Sequence, residues 1–215
     1  MRKNTLIIVG NIASGKSTAM ALLAKQLDAR QIHADELFQT TDPFAQDYLK
    51  DIARWAFANE LWLTIERSTL IHKALARKSK KLTIIDSGLL MSWVYAYSHN
   101  VTGNMTPAEW ELYQRLYETV SKKVLRRITV LMLYYPVETL MKRMKKRGRK
   151  FELKYYTKKY LQDIQKGLGA LKKALETQGI PTVVIEEKDC PDFEVNQVDL
   201  EHVLKKVQAS LGGGN

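Results

Sequence analysis

Cysteine is almost absent from this sequence. Cys190 is the only one in 215 residues, so no disulfide can form within the chain. A lone thiol with no histidine nearby reads as a loop residue rather than a catalytic or metal-binding group, and the chain is expected in a reducing, cytoplasmic compartment. Long apolar runs are missing too: none approaches the ~20 residues needed to cross a bilayer, so no membrane anchor is expected. The opening MRKNTLIIVG passes directly into strand-like residues without a small-residue cleavage site, and is not read as a secretory leader. His33, His72, His99 and His202 show no metal-ligand spacing. There is no internal repeat. The glycine run at 212–214 and the last residue read as a flexible tail after a single domain over residues 1–211.

Acidic residues are in deficit as well, and a count of 34 Lys and Arg against 23 Asp and Glu leaves a net charge of +11. Two partners suit such a surface, nucleic acid or a polyphosphate ligand. Much of the positive charge lies between residues 142 and 173. That stretch lacks regularly interleaved aromatics and any groove-reading motif, which disfavours nucleic acid.

What the chain does have is alternation. Thr5–Val9, Gln31–Ala34, Leu82–Asp86, Ile128–Leu133 and Thr182–Ile185 read as short apolar strands. Between and after them, Ser17–Leu27, residues 43 to about 77, Pro107–Leu125, Val137–Lys146, Tyr156–Thr177 and Val198–Leu211 read as helices. Thr106 precedes Pro107 as a cap. Strands of this kind separated by helices imply an α/β fold, a five-stranded parallel sheet covered on both faces. Ligands then bind beyond the carboxyl ends of the strands, which gathers residues 10–17, 34–36, 86–92 and 134–136 on one rim.

The first strand runs into GNIASGKS, residues 10–17, which fits the phosphate-loop pattern G-x-x-x-x-G-K-[ST] in full. Gly10, Asn11, Ile12, Ala13, Ser14, Gly15, Lys16, Ser17 and Thr18 are therefore expected to hold ATP. Glycines let successive N–H groups turn inward, and the following helix presents its positive end to the same phosphate oxygens. Lys16 is expected on the β- and γ-phosphates, and the Ser17 hydroxyl on Mg²⁺. Asp86, closing the strand LTIID, stands where phosphate-loop enzymes place the second metal-side oxygen.

Further along, LMKRMKKRGRKFE (residues 140–152) carries arginines and a glutamate at fixed spacing. With the phosphate loop, this stretch resembles the lid of the deoxynucleoside kinase family, above all its bacterial members that phosphorylate deoxyadenosine or deoxyguanosine. The resemblance runs from the phosphate loop to about residue 165. It implies a P-loop kinase-like fold with an arginine-rich lid at about 146–155; Arg143 just before the lid and Arg147 and Arg149 within it clamp the phosphoryl group in transit, and Glu152 reaches the sugar. Mobile guanidinium groups suit that task because the transition state spreads negative charge over three oxygens. By the same resemblance, Asp35 is the base that takes the proton of the attacking hydroxyl, and Tyr48 packs against the sugar. Glu60 and Arg67 are the base-reading pair, seven residues apart on one helix face.

Three positions depart from the family pattern. Glu60 stands where the family has glutamine, and a carboxylate only accepts hydrogen bonds whereas an amide also donates. A Glu60–Arg67 salt bridge with no ligand role is the competing reading. Ser87 replaces the arginine expected after Asp86, and Ser92 stands where the family places the acid that pairs with Arg67. The donor half of the site matches well and the acceptor half poorly. The chain thus reads as an ATP- and Mg²⁺-dependent transferase of phosphate to a nucleoside-like hydroxyl. A nucleoside monophosphate kinase, or a nucleotide-binding module without transfer, are the alternatives. Family members are usually dimers that pack helices together, and segments 55–77 and 106–125 could serve in such a homodimer, though the sequence alone establishes no interface.

Overall fold

Two opposite faces of one apolar strand organise the molecule. In the computed structural model, which describes residues 5–76, 81–125, 128–188 and 196–212, the first strand β1 (Thr5–Gly10) is buried along its whole length. Its Leu6 and Ile8 point to one core layer, and Ile7 and Val9 to another. A strand with apolar residues on both sides can only sit inside a sheet covered on both faces. Parallel pairings place it there, in the order β2 (Arg30–His33), β3 (Thr83–Asp86), β1, β4 (Ile128–Tyr134), β5 (Thr182–Glu186). The five-stranded parallel sheet predicted above is the one formed.

Helices α1 (Lys16–Gln26) and α10 (Gln197–Gly212) cover the first face, burying Met20, Leu23, Val203 and Val207. On the second face lie α4 (Ile52–Ala76), α5 (Gly88–Val101), α6 (Pro107–Ser121) and α9 (Lys158–Thr177). The short helices α2 (Leu37–Thr40) and α3 (Ala45–Lys50) lead into α4. On the rim, α7 (Val137–Arg147) is followed by the small α8 (Lys150–Tyr155).

Local chemistry sets several boundaries. The helix expected over residues 43–77 is interrupted at Asp51, whose backbone leaves helical angles and whose carboxylate accepts from the Arg54 N–H at 3.1 Å, capping α4. At α6 the expected cap is present as a reciprocal box, Thr106 Oγ1 accepting from the Glu109 N–H at 3.2 Å and Glu109 Oε2 from the Thr106 N–H at 2.8 Å. That helix ends at Ser121, short of the predicted Leu125. The long basic helix starts after Thr157, whose hydroxyl accepts from the Tyr160 N–H at 3.1 Å, rather than at Tyr156. Helix α5 was not anticipated at all. Cys190 and residues 213–215 lie outside the described residues.

Register delivers the rim. Ile8 lies opposite Asp86 and Gly10 opposite Leu133, so the end of β1 opens between the ends of β3 and β4. The phosphate-loop residues, Asp86 and the segment after β2 therefore meet at one edge of the sheet.

Candidate active site

The loop between β1 and α1 is drawn tightly against its neighbours. A Cβ on Gly10 would sit 2.5 Å from Ser14 Oγ and 2.8 Å from the Leu133 carbonyl, so any larger residue would push the loop off β4. Gly15, in the left-handed region at φ 90°, brings the chain into α1 without a side-chain cap, leaving the first amides of the helix to an incoming anion. Asn11 ties the loop to α9, donating from Nδ2 to the Leu161 carbonyl at 2.8 Å and to Gln165 Oε1 at 3.1 Å. Lys16 is buried and folds over the loop, Nζ donating to the Asn11 carbonyl at 3.3 Å. Ser14 Oγ is buried against Gly10 without a hydrogen-bond partner among the described residues.

Ser17 Oγ donates to Asp86 Oδ2 at 2.7 Å, and Ser87 Oγ donates to Asp86 Oδ1 at 3.1 Å. Burial pushes the Asp86 carboxyl up from its ordinary range; Lys16 opposes that shift and Asp35 adds to it. A hydroxyl and a carboxylate in contact beside a phosphate loop are hard oxygen donors, the ligand chemistry Mg²⁺ requires. The residues present fit that ion. Ser87 itself adopts φ 65° and ψ −66°, a sparsely populated conformation for a residue with a side chain. It is wholly buried against Asp86, so the position contributes no guanidinium to the site.

A cavity of about 250 Å³ runs from the phosphate loop to the middle of α4. Asp35, Tyr48, Glu60, Arg67, Arg147, Arg149 and Glu152, all anticipated from sequence, line it with residues 12–18. Arg67 is fully buried and spends three of its five N–H donors within the protein: Nε to the Ala34 carbonyl at 3.1 Å, Nη1 to Ser92 Oγ at 2.9 Å, and Nη2 to Asp35 Oδ1 at 3.4 Å. Ser92 thus meets Arg67 where the family pattern puts an acid, and the carboxylate comes from Asp35 instead. The Glu60–Arg67 salt bridge considered above is not formed. Glu60 Oε1 accepts from Asn59 Nδ2 at 3.4 Å, and burial pushes its carboxyl up to about 8.

Over the loop, Arg147 grips Glu152 Oε2 from Nε at 3.1 Å and from Nη2 at 2.6 Å, while Arg149 reaches Oε1 at 3.3 Å. The α7–Gly148–α8 segment is therefore pinned by one buried carboxylate shared between two arginines. Arg143 differs from the other two. It is not among the residues lining the cavity; its guanidinium lies 4.3 Å over the Tyr135 ring and donates to the Ser14 carbonyl at 3.5 Å.

Several lining residues were not foreseen, among them Phe38, Asn59, Tyr95 and Phe151. Tyr156 and Tyr160 stack with ring centroids 5.1 Å apart on the cavity wall. Tyr48 belongs to a buried chain, its hydroxyl 3.0 Å from His99 Nε2 and 3.0 Å from Tyr160 Oη. Burial holds His99 neutral, pushing it down to about 4 from 6.5. An unfolded chain takes up that proton between pH 6.5 and 4 and the folded one does not, so stability is complete above this window and lost on descending through it. In urea melts the wild type should lose about 3 kcal/mol more than His99→Gln across that window. Equal losses would show that His99 is not the group responsible.

The Deoxynucleoside kinase family model matches residues 6–211. The sequence is 24% identical over 205 residues to deoxyguanosine kinase of Bacillus subtilis (strain 168), covering 94% of this chain and 95% of that one. It is 24% identical over 215 residues to deoxyadenosine kinase of Lactobacillus acidophilus, covering 96% and 95%. Among solved structures, deoxyadenosine kinase from M. mycoides with bound dCTP superposes with a TM-score of 0.76 at 22% identity, over 95% of this chain and 99% of that one. The same enzyme with bound dATP gives 0.75 at 22% identity, over 95% and 98%. The solved structures agree with the sheet and its flanking helices described above.

Proposed function

The chain belongs to the deoxynucleoside kinase family, and from that premise we propose how its own residues divide the work of phosphoryl transfer. It is an ATP-dependent phosphotransferase acting on deoxynucleosides. The amides of residues 12–18 and Lys16 hold the triphosphate of ATP. Ser17 and Asp86 would hold Mg²⁺, which when bound supplies positive charge to the triphosphate. Asp35, half-exposed in the cavity and steadied by Arg67, accepts the proton as the sugar oxygen attacks. The new bond joins that oxygen to the γ-phosphorus, the bond to the β-phosphate oxygen breaks, and ADP departs. Arg147 and Arg149 stabilise the charge spread over the equatorial oxygens, with Arg143 bracing the loop beneath. Tyr48 and Glu152 flank the sugar, and Glu60 and Arg67 meet the base.

The observation that most supports this reading is the convergence of Lys16, Asp35, Arg67 and Arg147 on one cavity from distant parts of the chain. At the acceptor end of that cavity, the charge of Arg67 is already paired with Asp35, and three of its five N–H donors are spent within the protein. A phosphate-bearing acceptor would find little there, which favours a nucleoside over a nucleoside monophosphate. No helix among the described residues is long and apolar enough to cross a membrane. Exposed Ile65 on α4 and Leu112 on α6 are the surface that a homodimer through these helices would cover.

The test is a panel of deoxynucleosides with γ-labelled ATP, scored together with thermal stabilisation by ATP–Mg²⁺. Label should appear in at least one deoxynucleoside monophosphate, and ATP–Mg²⁺ should raise the melting temperature. Stabilisation by ATP with no labelled acceptor would replace the kinase with a nucleotide-binding module.

A further inference from the structure

Asn59 and Glu60 are neighbours on α4, nearly fully buried, and both line the acceptor end of the cavity. The Asn59 amide nitrogen is used on Glu60 Oε1 at 3.4 Å. That leaves Asn59 Oδ1 and Glu60 Oε2 buried without a partner among the described residues. A buried polar atom with no partner is costly, and two of them together on a cavity wall are what a ligand edge with complementary groups would satisfy.

What the pair offers depends on whether Glu60 carries a proton. Arg67, two turns along the same helix, donates to Ala34, Ser92 and Asp35 and makes no hydrogen bond to Glu60. Asp42, from the segment before α3, adds negative charge. Tyr48 from α3, Tyr113 from α6, Tyr156 from the end of α8 and Tyr160 from α9 face it as phenols held neutral by burial. A carboxylate so enclosed, with no direct cation, is unfavourable, and the neutral acid is the stable form. Burial drives the group up to about 8, with Arg67 and Asn59 opposing and Asp42 adding. Because Oε1 accepts from Asn59, the proton sits on Oε2. Below that pH the wall presents one acceptor, Asn59 Oδ1, and one donor, Glu60 Oε2–H.

We propose that Glu60 reads the acceptor's base as a neutral carboxylic acid, so that near neutral pH the pocket takes an edge with an amino N–H beside a ring-nitrogen lone pair. A 6-aminopurine has such an edge. Once Glu60 ionises, two acceptors face the ligand, the ring-nitrogen lone pair is repelled, and an edge with two adjacent N–H groups, as in a 2-amino-6-oxopurine, is favoured instead. The inference rests on the acceptor-pocket reading given above, and it makes the base preference a function of pH.

The experiment measures kcat/KM for deoxyadenosine and deoxyguanosine with the full chain, from about pH 6.5 to about pH 8.7, either side of the midpoint near 8 and below the range in which the guanine N1–H itself ionises. Effects on transfer itself cancel in the ratio. The deoxyadenosine-to-deoxyguanosine ratio should fall at least about tenfold as pH rises. In Glu60→Gln it should stay level whatever the absolute rate, because an amide donates and accepts at every pH. Infrared difference spectra should show a protonated carboxyl band that disappears in the same pH range and is missing from Glu60→Gln. A level ratio in the wild type, an equal fall in Glu60→Gln, or a carboxyl already ionised at neutral pH overturns the inference while leaving the kinase intact. Turnover of neither nucleoside removes both.

Discussion

Lys16→Ala is expected to cut kcat about 10³-fold while leaving a folded protein that ATP–Mg²⁺ no longer stabilises. The fold should tolerate the change, since the side chain makes one internal hydrogen bond, to the Asn11 carbonyl at 3.3 Å. The ammonium is buried beside the loop amides and opposes the upward shift of Asp86, so it is a fixed positive charge in a site built for anions. Removing it takes away charge that strengthens as the γ-phosphoryl becomes more negative, and this reduces turnover beyond what weaker binding alone would do. Nucleotide at about a hundred times its dissociation constant stabilises a native state by about 2.7 kcal/mol. For a domain of this size that is a rise on the order of 5–10 °C in melting temperature, and the variant should show almost none of it. Unchanged stabilisation would put the triphosphate somewhere other than the first loop.

How visible each part of the molecule was in the sequence follows from how local its cause is. The phosphate loop was legible in full because its conformation is set by eight consecutive residues, two of them glycines at positions that reject a Cβ or require a left-handed turn. Strands β1 and β4 were legible as short apolar runs. Helix α5 was not, and the reason is physical. It is buried on nearly every side, from Gly88 through His99, so its sequence GLLMSWVYAYSHNV has no polar face to give a period. It also begins just after Ser87, whose strained backbone no propensity rule would anticipate.

The part of the cavity around Glu60 and Arg67 was only partly visible, for a different reason. Glu60 and Arg67 do share a helix face, as their spacing requires, but the spacing says nothing of what else reaches that face. Ala34, Asp35 and Ser92 arrive there from other elements and occupy the guanidinium before Glu60 can. Tyr156 and Tyr160 carry a spacing that suits core packing equally well, and only the seating of α9 against the phosphate loop turns them to the cavity. The departures from the family pattern fall together. Ser87 supports Asp86, Ser92 supports Arg67, and Glu60 is left without an ionic partner.

Arg147 carries the second large expectation: Arg147→Ala should lower kcat by about 10³-fold or more with little loss of ATP–Mg²⁺ stabilisation. Its guanidinium holds Glu152 Oε2 through two bonds, at 3.1 and 2.6 Å, and it lines the cavity above the phosphate loop. Arg149 is more exposed and makes a single longer bond at 3.3 Å, so the same substitution there should cost less. The alanine variant also leaves Glu152 buried with weaker pairing, which by itself could loosen α8. Arg147→Ala combined with Glu152→Gln, read against Glu152→Gln alone because Glu152 also flanks the sugar, separates the two effects, since it removes the weakly paired charge without restoring the guanidinium. If the arginine acts on the phosphoryl group, the double variant regains thermal stability but not turnover. Arg147→Lys should recover only part of the rate, because an ammonium keeps the charge and loses the planar fork that can span two oxygens. A kcat within about tenfold of wild type in Arg147→Ala would show that the lid closes over the site without taking part in stabilising the transferred group.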